Sequence, residues 1–364
     1  ELYLKRIDQW LAEGVNIDEE GQFIERSTTV YNAVSNNTLV VMAHKLKRKE
    51  LLEAVRNNLD AMAYLVHPNG EVVTEISRRH PVNTRGTLAS SCFCLRYMAL
   101  QDSNGLYASM LDRIEARHAR LAALMEYPSL QKELPPRKPL PDKYEKQYPG
   151  SGITRIRRGK TSVTILHRQS SRFLSIHHGQ AVVNAVRLAT AFFGKGQFVP
   201  GFFTRRDGNY HFKQTLEGPY YQPLAEADPV PVGRDNWSSL RGTRERSEIC
   251  RMTYEARIRG DKQGFEIRFS AQGTANVPVA LEINLRAGGE LKGVVPAPRV
   301  AEAYLLRDGF ATYRMGSDVM RIGPGQCEHA YTQVRGAQPK LPGPSVYITG
   351  YTPFECTLSF QLMG

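Results

Sequence analysis

Apolar positions recur at helical spacing in the first third of the chain and at strand spacing through most of the rest. Glu50–Val66 is the clearest helix, because Leu51, Val55, Leu59, Met62 and Val66 share one face. His67-Pro68-Asn69-Gly70 reads as the turn that ends it. Weaker patterns predict a helix over Glu1–Ala12, broken by Gly14, and another from an N-cap at Ser27 to Leu46. Two more are expected over Thr87–Leu100 and Gly105–Tyr127, the second burying Leu106, Met110, Ile114, Leu121 and Leu124. Glu71–Gly86 reads as a polar loop.

The texture changes at Pro128. Five prolines among lysines (135, 136, 139, 141 and 149) oppose helix, so 128–150 reads as a linker or a strap across the surface. Beyond it, Thr154–Arg158 and Ser162–His167 flank Gly159-Lys160 as a hairpin. Short runs follow at Phe173–His177, Ala181–Phe193, Tyr210–Leu216, Ile249–Arg259, Phe265–Ser270, Val277–Leu285, Ala311–Met315 and Val319–Ile322. Cys356–Leu362 closes the series by alternating apolar and polar residues. Many short strands between turns predict a large antiparallel β-sandwich. The organisation expected is therefore α+β and multidomain: helices over 1–127, a Pro-rich linker over 128–150 and a sandwich over 151–364.

A length of 364 residues suits about two domains. No apolar run nears the ~20 residues that cross a bilayer, so no membrane partner is expected. The first residue is Glu1 rather than Met, which suggests a processed or trimmed chain. The net charge is +12, and its placement is uneven. Residues 1–127 hold 15 Lys+Arg against 16 Asp+Glu, leaving 33 against 20 for the remainder. A positive excess confined to the later two-thirds points to a polyanionic partner. The aromatics do not interleave with basic residues in a nucleic-acid module, so an acidic polysaccharide or oligosaccharide is favoured over nucleic acid. The five cysteines (92, 94, 250, 327 and 356) lack zinc-ribbon spacing and read as mainly free, buried thiols.

Candidate chemistry centres on His177-His178-Gly179, at the junction between helix-rich and strand-rich sequence. Histidine exchanges protons near neutrality, but adjacent strand residues face opposite sides, so one of the pair at most serves a cleft. Without a carboxylate-rich or His-x-x-x-His partner pattern, a metal is the weaker reading, and no cofactor is called for. Tyr31 and Asn32, after Glu25-Arg26-Ser27, stand at the mouth of the helical region, where an amide can stabilise an enolate-like intermediate. Arg78 and Arg79 offer planar forks for a carboxylate or sulfate, with His80 as a second proton carrier. Tyr210 and Tyr220, near Arg205, suit sugar platforms or a tyrosine base. Each stretch also has a plainer structural reading: strand decoration, a helix start, a solvated loop and rim aromatics.

Two of these stretches resemble the heparinase II/III-like polysaccharide lyases, a group that includes some alginate lyases. Ile7–Trp10 followed by Gly21–Asn32 is similar to the family's Trp-bearing helix with an acidic-Gly, Glu-x-Ser, Tyr-His/Asn motif. Ile176–Gln180 through Gly194-Lys195-Gly196 is similar to its His-Gly-His-Ala-Asp run and Gly-rich turn. The resemblance implies a partial (α/α) toroid before the sandwich, and a periplasmic or secreted location. It implies β-elimination on a uronate polymer, with Asn32 neutralising the carboxylate and His178 (or His177) as the acid/base. Two departures stand out. Ala181-Val182-Val183-Asn184 replaces the Ala-Asp, and Arg78–Leu88 lacks the family's catalytic tyrosine, which leaves His80 or Tyr210 for that task. The short helical part resembles only the last portion of a toroid. The alternatives are a non-catalytic carbohydrate-binding protein on the same fold, or a glycoside hydrolase using Glu25 and Glu75, which needs carboxylates about 5 or 6.5–9.5 Å apart.

Overall fold

The apolar stripe of Leu51, Val55, Leu59 and Met62 is buried along one side of a helix, as its spacing requires. The structure, a computed structural model, describes residues 2–114, 121–224, 233–260 and 264–364. Seven helices and two large β-sheets make up these residues, a mixed α+β architecture. They fall into two compact units, Glu1–His167 with Ile176–Gln180, and Arg168–Ser175 with Ala181–Gly364.

The first unit holds α1 (Leu2–Ala12), α2 (Tyr31–Leu46), α3 (Leu51–Ala63), α4 (Cys92–Gln101), α5 (Gly105–Leu111) and α6 (Leu121–Glu126). The expected start of α2 at Ser27 moves to Tyr31. Thr28 turns its hydroxyl to the Val73 carbonyl, and Ser27 instead receives the Tyr31 and Asn32 amides on its Oγ and O. The expected Gly105–Tyr127 helix is represented by α5 and α6, and 115–120 lie outside the described residues. Within the proline-rich stretch, Arg137 pairs with Asp112 and the Lys138 amide bonds the Gly105 carbonyl, strapping the segment over α5.

Three antiparallel strands, β1 (Lys143–Tyr148), β2 (Ile153–Arg158) and β3 (Thr161–Leu166), continue this unit. The end of β4 (Leu174–His178) lies beside β3. The acidic-Gly loop before α2 is structural. Asp18 accepts the Glu20 and Gln22 amides and pairs with Arg26, while Glu20 bonds the Gly150 and Ser151 amides. Gly21 sits at φ +72°, and a Cβ there would stand 2.2 Å from the Asn57 carbonyl oxygen. No other residue fits that approach.

The second unit is two sheets. One joins β5 (Ala181–Thr190) and β6 (Gly196–Gln197) to β11 (Pro278–Leu285), β17 (Ser345–Tyr351), β14 (Ala303–Leu305) and β13 (Val295–Pro296). The other runs β12 (Glu290–Lys292), β15 (Ala311–Met315), β16 (Asp318–Gly323), β18 (Phe354–Met363), β10 (Gly264–Gly273), β9 (Arg246–Gly260), β8 (Asn209–Tyr221) and β7 (Phe202–Arg206). The two meet through Phe173, Phe198, Phe212 and Phe269 and through a Thr190–Tyr254 hydroxyl bond of 2.7 Å. The expectation of a wholly antiparallel sandwich needs one correction, since β14 lies parallel to β17. A short helix, α7 (Trp237–Leu240), completes the unit.

Candidate functional site

The first unit carries a polar, largely buried sheet face. Directly opposed residues of antiparallel strands share a face. The register sets Lys146 opposite Arg155, Tyr144 opposite Arg157, Arg155 opposite Thr164 and Arg157 opposite Ser162. Tyr144, Lys146, Tyr148, Arg155, Arg157, Ser162 and Thr164 therefore form one surface. The segment after α3 lies over it. Tyr144 donates its hydroxyl to the Tyr64 carbonyl at 2.7 Å, Arg155 Nε reaches the same oxygen at 3.4 Å, and Arg157 Nη1 reaches the Val66 carbonyl at 3.4 Å.

His67, in the turn that ends this segment, stacks on His177 with ring centroids 3.6 Å apart and planes 10° from parallel. His67 is 2% exposed and His177 6%. His67 Nδ1 lies 3.0 Å from Ser162 Oγ, which also accepts from Arg155 Nη2 at 2.7 Å. One hydroxyl thus links an imidazole to a guanidinium. Arg155 has no accessible surface, and among the described residues no carboxylate pairs with it; its other side-chain partner is Thr164 Oγ1, at 2.5 Å. The carbonyls at the C-terminal end of α3 offset about half a charge, which leaves the guanidinium incompletely balanced.

Neighbouring groups are shifted too, chiefly by burial. Burial lowers the Arg157 pKa, and the Arg155 charge adds to that shift. Burial also lowers Lys146, whose ammonium lies 3.9 Å from the Tyr64 ring centroid. Tyr148 is raised by burial, with Arg155 opposing, and its hydroxyl has no hydrogen-bond partner among the described residues. The opposite face holds two histidines against threonine hydroxyls. His178 Nδ1 meets Thr161 Oγ1 at 2.8 Å, and His167 Nε2 meets Thr154 Oγ1 at 2.8 Å. Burial pushes His167 down to about 4.

The adjacent histidines therefore part as strand geometry requires, His177 toward His67 and Arg155 and His178 toward Thr161. Asn32 is buried, turning its NH2 to Gln22 Oε1 at 3.3 Å and Met62 Sδ at 3.7 Å, with no partner on its Oδ1 among the described residues. Arg79 bonds Glu25 at 2.5 Å and lies over the Tyr31 ring at 4.2 Å, and its pKa is raised by that hydrogen bond. Arg78 and His80 are exposed in the same loop. Glu25 and Tyr31 also line a cavity of about 460 Å³ beside α2.

Tyr210, Arg205 and Tyr220 belong to the second unit. Tyr210 is buried beside Phe203, Arg205 lies across from it on β7, and Tyr220 is exposed against Phe193. Two residues of the polar face escaped the sequence reading. His67 looked like punctuation after a helix, and Arg155 like one of several basic strand residues. All five cysteines are free. No helix among the described residues is long and apolar enough to cross a membrane.

No protein-family model matches the chain, and no curated protein does. Its likeness to solved structures is one of fold. A heparinase III superposes with a TM-score of 0.50 at 10% identity, over 98% of this chain and 54% of that one. A heparan sulfate lyase from Pedobacter heparinus gives 0.48 at 7% identity, over 98% and 55%. The chain spans about half the length of the structures it matches.

Proposed function

We propose that the protein is a polysaccharide lyase that cleaves a uronate-containing acidic polysaccharide by β-elimination, with His177 exchanging the proton. The observation that carries this reading is the His177–His67 stack, joined through Ser162 to a guanidinium without a carboxylate. Elimination takes the proton from C5, forms the C4–C5 double bond with that electron pair, and expels the glycosidic oxygen from C4, which must then be protonated. The C5 proton becomes acidic enough only when the adjacent carboxylate's charge is offset. Arg155 and Arg157 are suited to that task, and His177 and His67 provide a base and an acid in contact. The Asn32 amide, engaged with Gln22 and Met62, is assigned a supporting role. The positive excess beyond residue 127 favours capture of a long polyanion.

The same reading takes α1–α6 as part of an (α/α) toroid, divides the chain at 1–127, 128–150 and 151–364, and places the protein in the periplasm or outside the cell. The test is ultraviolet absorbance, because only an eliminated product carries the conjugated uronate. Incubation with heparan, chondroitin, hyaluronan, alginate and polyglucuronate gives a rising signal on at least one substrate. His177→Ala lowers it by ~100-fold or more, in the range of a lost acid/base group, while His178→Ala retains most of it. A flat trace across the panel from folded protein that still binds polyanions overturns the lyase in favour of a carbohydrate-binding protein. New reducing ends without absorbance identify a hydrolase.

A further inference from the structure

The cavity beside α2 lies outside the polar sheet face and has a chemistry of its own. Tyr31, Val34, Ser35 and Thr38 recur at helical spacing, so one side of α2 lines it, with Phe23 and Glu25 contributed by the preceding loop. Its volume of about 460 Å³ falls within the range of small-molecule pockets. The lining interleaves two aromatic rings and aliphatic groups with three hydroxyls, the Asn16 amide and one carboxylate.

Charge decides what such a pocket accepts. Among the described residues its one ionised lining group is Glu25, whose carboxylate is paired to Arg79 at 2.5 Å. The Arg79 guanidinium lies over the Tyr31 ring, so the ion pair also helps hold that ring in place. An anion would meet the carboxylate, and a cation would have to displace Arg79. An uncharged ligand meets neither cost. It needs an apolar face for Tyr31, Val34 and Phe23, and a rim of hydroxyls for Ser35, Thr38 and the Glu25 acceptor. A pyranose ring has both.

We infer that this cavity binds an uncharged hexopyranose, a neutral or N-acetylated sugar residue, at a site separate from the basic face. The experiment is ligand-observed NMR titration of the full chain with methyl glycosides of glucose, galactose, N-acetylglucosamine and glucuronate. A neutral glycoside binds with Kd on the order of 1 mM, as expected for a few hydroxyl contacts and one ring face. Val34→Trp, at a side chain already 53% exposed, fills the cavity and abolishes binding without unfolding the protein. Tyr31→Ala weakens it about tenfold. Glu25→Gln releases Arg79 from its ion pair and shifts preference toward the glucuronide.

Absence of neutral-sugar binding by folded wild-type protein overturns the assignment. So does binding unchanged in Val34→Trp, or tighter binding of glucuronide by the wild type. The titration reads binding without turnover, so its failure and that of the lyase assay are separate results.

Discussion

Arg187 of the second unit and Arg155 of the first are both buried, and the two are held in opposite ways. In the second unit Arg187 bonds Glu282 through Nε at 2.8 Å and through Nη2, and donates to the Pro339 carbonyl at 2.8 Å. The Glu282 carboxylate in turn accepts from Ser345 Oγ at 2.8 Å and the Leu341 amide at 3.2 Å. Both charges lie out of water and are matched, which is the arrangement of a structural element. In the first unit Arg155 is as deeply buried, yet its partners are two hydroxyls and a backbone carbonyl, one of those hydroxyls also meeting His67 of the stacked imidazole pair. A buried cation without a counter-charge is a standing preference for an anion. The comparison separates an arginine that holds the fold together from one suited to a substrate.

Breaking the matched pair has the largest effect. Arg187→Ala strands the Glu282 carboxylate and costs about 3–5 kcal/mol, read from the shift in the urea midpoint. Arg187→Met with Glu282→Met removes both charges and restores most of that loss. A double variant as unstable as the single one would show that the pair is not the unit of stability. Arg155→Met breaks the symmetry of the comparison. It forfeits hydrogen bonds but also the cost of burying a charge, so stability changes by no more than ~2 kcal/mol in either direction. Turnover on the responsive polymer falls ~100-fold. Loss of more than ~3 kcal/mol would make Arg155 a structural residue like Arg187.

A smaller effect comes from the other face of the same sheet. His167 is held near pKa 4 by burial, while the unfolded chain protonates near 6.5. The unfolded state therefore binds more protons between those values. Stability from this residue is full above pH 6.5 and is lost as pH falls toward 4, by at most ~1.4 kcal/mol per unit. His167→Gln, which keeps a partner for Thr154, flattens that part of the stability profile. The exposed Arg79–Glu25 pair is the smallest term, and Arg79→Ala leaves the melting midpoint nearly unchanged.

Much of the architecture was legible because it is written in local periodicity. The hairpin around Gly159-Lys160 falls within a residue of its expected bounds, and Phe354–Met363 alternates as its sequence does. The site was legible only in part. His177 drew notice as one of two adjacent histidines, and strand alternation required the pair to diverge. No spacing rule connects His177 to His67, since their contact depends on how a turn after α3 meets a sheet formed much later in the chain. Arg155 was hidden for the same reason, because what sets it apart is its surroundings in space, where among the described residues no carboxylate pairs with it. Tyr210 illustrates the converse. Its alternation with Phe212 on β8 marks a core position, and both rings are buried.

The first unit is discontinuous in sequence, closing only with Ile176–Gln180 after a detour through Arg168–Ser175. A ribosome delivers the chain from its N-terminus, so the helices and β1–β3 emerge while the strand edge that receives β4 is still open. His67 waits, without its stacking partner, until more than a hundred further residues have been made. During synthesis the stacked pair of imidazoles is the last piece of its unit to be assembled. A nascent chain halted at His167 would carry His67 and Arg155 without the ring that stacks on His67.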